Sequence, residues 1–226
     1  MIPREVIDTA DIAGGGPLRL IRRGEEYSIM LGSNELMNSR LSGSEEALAG
    51  LACERIRGRP RPRLLIGGLG MGFTLRAALA ALPIDAELVV AELVPAVIAW
   101  ARGPMAHIFA GSLDDPRVRV VEGDVAAPIR AGRSAWDAIL LDVDNGPAGI
   151  THPGNDRLYG REGLAESKAA LRCGGVLAVW SSAPDAGFTA GLRKAGFLVE
   201  QVAARARGAR GGGRHVIWIA ARPAAP

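Results

Sequence analysis

The stretch LLIGGLGMGFTLRAAL, Leu64 to Leu79, decides the fold. It opens on three aliphatic residues in a row, the pattern of a strand buried on both faces, and runs into four glycines within six positions, Gly67, Gly68, Gly70 and Gly72. Leucines and alanines follow, so a helix is expected from about Phe73. Strand, glycine turn and helix make the opening of a βα unit, in which bare backbone lets a ligand approach closely. A dinucleotide fingerprint would need glycines at i, i+2 and i+5, but Gly68 and Gly70 are followed by Phe73. A triphosphate loop would need lysine and a hydroxyl residue after Gly72, where Phe73 and Thr74 stand. What remains is a GxGxG turn suited to a nucleoside whose tail is not a pyrophosphate.

Outward from this unit, apolar strands alternate with helical stretches: ELVVAEL, PAVIAWARG, VRVVEGD, WDAILLDV, LYGREGLAESKAALR and GGVLAVWSS. That rhythm predicts an α/β fold, a doubly wound, mostly parallel, Rossmann-like sheet with helices on both faces. AGFTAGLRKAG continues as a helix, and FLVEQVAARA and RHVIWIAAR as a hairpin whose loop, RGARGGGR, reads as a mobile tip. Upstream, short alternating segments separated by GGG, RGEE and GSN predict an antiparallel β unit over residues 1–40, with residues 41–226 forming the ligand-binding domain. Between them GSEEALAGLACERI predicts a helix from about Glu45 to Ile56, capped by Ser44. RGRPRPR ends it and reads as a solvated connector rather than a nucleic-acid contact.

Composition narrows the function classes. Apolar residues make 48% of the 226, and no run of them approaches membrane-spanning length. Charges in MIPREVIDTADIAGGG occupy the place of a signal peptide's apolar core, so a cytoplasmic location is expected. Net charge is only +3, which does not point to nucleic acid. Cys53 and Cys173 stand in unrelated contexts and read as buried small hydrophobes, and His107, His152 and His215 lack metal-ligand spacing, so no metal is expected.

Ligands of such sheets bind beyond the carboxyl ends of the strands. Glu92 ends the second strand, twenty positions after Gly72, where a carboxylate accepts hydrogen bonds from both ribose hydroxyls. Asp124, after the third, can accept from an adenine amino group while the Val125 backbone reads the ring edge; a helix cap is its compatible alternative. Asp142 ends the fourth, beside a nucleoside's reactive tail.

ELMNSR, LLIGGLGMGFTLRAAL, VVAELVPAVIAWA, DPRVRVVEGDV, WDAILLDVDNGP and LYGREGLAESKAALRCGGVLAVW follow in the order and spacing of the spermidine synthase family, which the chain resembles from about Glu35 to Trp180. The resemblance implies a class I methyltransferase-like fold with an N-terminal β unit, and aminopropyl transfer from decarboxylated S-adenosylmethionine to an amine acceptor, a polyamine. It implies a homodimer too. By similarity Glu92 falls on the ribose acid, Asp124 on the adenine-side acid and Asp142 on the catalytic aspartate. Asp144, Asn145, Tyr159 and Glu45 fall in segments that flank the acceptor; Asp144 reads equally as a solvated turn residue, and Tyr159 as helix-face packing. The chain departs from the family pattern at Gly70, where an aspartate would hold the donor's amine, at Asn145, where the pattern has a second aspartate, and near Ser44 and Glu45, where it has tyrosine and histidine. These departures keep open a methyltransferase using intact S-adenosylmethionine. A further alternative is a non-catalytic nucleoside- or nucleic-acid-binding protein that uses the arginine-rich segments.

Overall fold

The computed structural model describes residues 2–12, 16–143 and 155–224. Four strands, β1 (Glu5–Ile12), β2 (Gly16–Arg23), β3 (Glu26–Leu31) and β4 (Asn34–Asn38), pair antiparallel in chain order. Helix α1 (Gly43–Arg55) leads to a second sheet built from β5 (Arg63–Gly67), β6 (Glu87–Glu92), β7 (Val118–Glu122), β8 (Trp136–Leu141), β9 (Leu171–Ser181), β10 (Leu198–Arg205) and β11 (Arg214–Ala221). Its helices are α2 (Phe73–Ala81), α3 (Pro95–Arg102), α4 (Ala106–Phe109), α5 (Ala126–Ala131), α6 (Asn155–Tyr159), α7 (Arg161–Ala170) and α8 (Ala186–Lys194).

The strand order is β10-β11-β9-β8-β5-β6-β7, and β11 alone runs against its neighbours. This is the expected α/β architecture. The chain winds outward from β5 to β7 and returns to lay β8 on the other side of β5, so the direction of winding switches between β5 and β8. All six residues of β8 are buried, Ala138 and Leu140 in one apolar cluster and Ile139 and Leu141 in the other, because successive side chains leave a strand on opposite faces. The first cluster continues into Leu18, Leu20, Tyr27 and Ile29 of the small sheet, and Trp100 Nε1 on α3 donates to Asp8 Oδ2 on β1 at 2.6 Å.

Several local expectations need correction. Ser42, not Ser44, sits at the start of α1, and the Ser44 side chain turns inward, fully buried. The stretch from Leu158 is not one helix, because Gly160 adopts an extended conformation between α6 and α7. The glycine-arginine loop is not a free tip: Gly43 N–H donates to Ala206 O at 2.9 Å, and a Cβ on Gly43 would collide with the backbone of Gly208, so the loop sits on the start of α1. The connector is anchored as well. Arg59 and Arg172 each donate to the buried Asp137 at 2.7 Å, at the end of β8 opposite the ligand rim, and Arg63 pairs with Glu87. Cys173 is exposed, whereas Cys53 is buried and its thiol is pushed up to about 12.

Candidate active site

Parallel register sets the strand ends level. Gly67 lies opposite Ala91 on one side and Leu141 on the other, and Glu92 lies opposite Glu122. The residues just beyond these ends therefore share one rim, tied by Gly68 N to Ala91 O, Asp142 N to Gly67 O and Gly123 N to Glu92 O at 2.8–3.0 Å. Above the rim lies a crevice of about 190 Å³. Gly68, Gly70, Gly72, Glu92, Asp124, Val125, Asp142 and Glu45 all line it. Its opposite wall comes from the small sheet, through Ile12, Leu36 and Met37.

The glycine turn is required first by the protein itself. Gly68, Gly70 and Gly72 have φ of +90°, +50° and +77°, a region that disfavours side chains. A Cβ on Gly68 would stand 2.4 Å from the Asp142 carbonyl oxygen, and one on Gly72 2.4 Å from the Phe109 ring. At Gly70 the neighbour is the Met37 sulfur, 3.0 Å from a built Cβ. A thioether thus packs beside the position where the spermidine synthase pattern carries an aspartate.

Glu92 is 8% exposed, and each of its oxygens holds one loop: Oε2 accepts from Leu69 N at 2.8 Å, and Oε1 from Val94 N at 2.9 Å. Burial raises its pKa and these backbone donors oppose the rise. Glu92 also lines the crevice, where hydroxyl donors can reach its carboxylate. Asp124 is exposed, and its Oδ1 accepts from Ala126 N at 2.8 Å at the start of α5, which is the capping role its sequence allowed.

Asp142 is part-buried and accepts from Thr74 Oγ1 at 2.6 Å. Burial pushes its carboxyl up to about 7, the charge of Glu45 adds to the rise, and the Thr74 hydrogen bond opposes it. Burial raises Glu45 as well, with Ser44 opposing. Two acids of elevated pKa thus face one crevice, one from the sheet rim and one from α1. Such a pair can take up and pass on a proton near neutral pH.

Tyr159 stands apart from this group. It is buried edge-on to Phe188 at 5.5 Å, and its hydroxyl donates to Val143 O at 3.4 Å. Asp144 and Asn145 lie outside the described residues, as does His152. Sequence reasoning missed Thr74, Met37 and Trp180, all brought to the site by folding. Among the described residues, no cluster of His, Cys, Asp or Glu could hold a metal ion, and no helix is long and apolar enough to cross a membrane.

A solved structure of spermidine synthase in complex with the transition-state analogue AdoDATO superposes with a TM-score of 0.75 over 98% of this chain and 73% of the other, at 20% identity. The fold is the spermidine synthase fold. No family model matches the chain. In sequence it is 34% identical over 148 residues to a polyamine aminopropyltransferase of Mycobacterium tuberculosis, covering 62% of this chain but 27% of that protein. It is also 35% identical over 119 residues to putrescine N-methyltransferase 4 of Nicotiana tabacum, covering 52% of this chain and 29% of the other. The chain therefore spans well under half the length of these curated relatives.

Proposed function

We propose that this protein binds decarboxylated S-adenosylmethionine and transfers its aminopropyl group to an amine acceptor of the polyamine class. The observation that carries this reading is the placement of Glu92, Asp124 and Asp142 on one crevice, with Asp142 held near a pKa of 7. Glu92 would take the ribose hydroxyls, and Asp124 with the Val125 backbone the adenine edge. That leaves the sulfonium tail beside Asp142. A sulfonium departs as a neutral thioether and needs no acid, so the enzyme's task is to hold the amine in line and remove its proton. An amine near its ordinary pKa is protonated at neutral pH and has no lone pair for attack, and a carboxylate of pKa about 7 is suited to accept that proton before the new C–N bond forms. The acidic character of Glu45 favours a cationic acceptor on the same side.

Methyl transfer from intact S-adenosylmethionine is the second reading, favoured by one feature. Gly70 and Met37 present no carboxylate to a donor amine, so this position does not itself repel a donor carboxylate. Incubating the protein separately with each donor and a panel of mono- and diamines, and identifying products by mass, tests both. Methylthioadenosine with an aminopropylated amine is expected. S-adenosylhomocysteine with a methylated amine would select the second reading, and release of neither would refute transfer.

A further inference from the structure

The charges around the crevice are of one sign. Its lining includes four carboxylates, Glu45 from α1, Glu92 at the end of β6, Asp124 beyond β7 and Asp142 beyond β8, and among the described residues no lysine, arginine or histidine. Asp142 therefore has no cation in the crevice to favour its ionised form, and the charge of Glu45 works against it. The sheet rim fixes its backbone: its N–H donates to Gly67 O at 3.0 Å, and its carbonyl oxygen would stand 2.4 Å from a Cβ built on Gly68. Helix α2 fixes its side chain. Thr74, the second residue of that helix, donates from Oγ1 to Asp142 Oδ2 at 2.6 Å. Thr74 is 3% exposed and does not line the crevice, so it meets the carboxylate from the side away from a ligand. Gly72, at a φ of +77°, starts the helix that carries it, and the glycine turn thereby places the base as well as the donor loop.

We propose that Thr74 is a positioning residue for the catalytic carboxylate: its hydroxyl pins Oδ2 and leaves Oδ1 of Asp142 presented to the acceptor amine. The inference rests on the amine-alkylation reading above. An unpinned carboxylate turns about its side-chain bonds, and few of its orientations put an oxygen on the amine's proton. The same hydrogen bond is stronger to a carboxylate than to a neutral acid, so it holds down the rise that burial and Glu45 cause. Without it, Asp142 keeps its own proton to higher pH and cannot take the amine's. In the step itself the amine's proton passes to Oδ1, the nitrogen keeps the electron pair for the C–N bond, and the Thr74 hydroxyl retains its own proton. Glu45, Glu92 and Asp124 are the titratable groups that share the crevice with Asp142, and Glu46 acts on Glu45. A substitution at Thr74 removes none of them.

Thr74→Val keeps the shape of the side chain and deletes the hydroxyl, whereas Thr74→Ser keeps the hydroxyl. A carboxyl-carbon NMR titration of the free protein should place the Asp142 midpoint at about 7 in the wild type, at least about half a pH unit higher in Thr74→Val, and back near the wild-type value in Thr74→Ser. The acid limb of the turnover profile should move to higher pH by the same interval in the valine variant. Its kcat should stay about tenfold low even on the alkaline plateau, and serine should restore most of it. Calorimetric binding of 5′-methylthioadenosine should change less than about twofold in both variants, because Thr74 lies outside the crevice, and this binding also reports that each variant is folded. A valine variant with the wild-type midpoint and pH profile, or a serine variant that behaves like the valine one, would overturn the inference. If the wild type turns over no amine while the Asp142 midpoint still depends on the Thr74 hydroxyl, the alkylation reading fails and the pinned carboxylate stands. If the wild type turns over amine and Asp142 ignores Thr74, the inference alone fails.

Discussion

Replacing Asp142 with asparagine should stabilise the protein above pH 7 while ending its turnover, and both effects have one cause. The carboxyl of Asp142 lies at about 7 in the fold against an ordinary value of 3.8, because burial and the charge of Glu45 disfavour its ionised form. Between those values the folded chain binds a proton that the unfolded chain has released, so stability falls as pH rises. The contribution of Asp142 is fully present below 3.8 and lost once pH has passed about 7. That interval corresponds to about 4 kcal/mol at full value, and partial exposure reduces the expectation to about 2 kcal/mol, or about 4–8 °C in Tm for a chain of this size. Asparagine has no charge to bury, and its amide oxygen can still accept the Thr74 hydroxyl. Thermal unfolding of both proteins, followed by circular dichroism from pH 4 to pH 8.5, should show equal Tm at the acid end. The gap in favour of the variant should then open and level off above pH 7. A gap independent of pH, or a variant less stable than the wild type at pH 8.5, would refute the reasoning.

Three further substitutions test the remaining parts of the crevice. Glu92→Gln leaves one of the two loop N–H groups facing an amide nitrogen. It should cost about 1–3 kcal/mol in urea unfolding and weaken donor binding at least about tenfold by calorimetry; unchanged affinity would remove Glu92 from the ribose site. Gly72→Ala places a methyl group against Phe109 at a φ of +77° and should destabilise by about 2 kcal/mol or more, part of which Phe109→Ala should recover in the double variant. Gly70→Asp is compatible with a φ of +50°, a conformation that aspartate adopts more readily than most residues, and the Met37 side chain can yield. Competition binding should then shift at least about tenfold toward the decarboxylated donor; an unaltered ratio would mean that this position does not face the donor's tail.

The rim was legible in the sequence because parallel strands buried on both faces are written as short apolar runs, and the residue after each run is placed by the sheet itself. Gly68, Glu92, Asp124 and Asp142 each follow such a run, and the level register of β5, β6, β7 and β8 brings them together. Thr74 and Met37 were not legible, because their roles depend on distant elements. Thr74 reaches Asp142 across 68 positions, and Ser44 meets His215 across 171. Ser44 was misread for a related reason. As the hydroxyl nearest the acidic first turn it resembles a cap, but Gly43 docks onto the hairpin loop, and α1 starts early enough to turn Ser44 toward β11. The arginines of the connector resemble a solvated run until β8 supplies the buried Asp137 that holds Arg59.

A crystal structure of the protein with 5′-methylthioadenosine tests the central claim most directly. The account predicts the nucleoside in the crevice, with both ribose hydroxyls on Glu92, the adenine amino group at Asp124 and the thioether sulfur facing Asp142. A nucleoside bound elsewhere, or lying in the crevice with its sulfur turned away from Asp142, would contradict it.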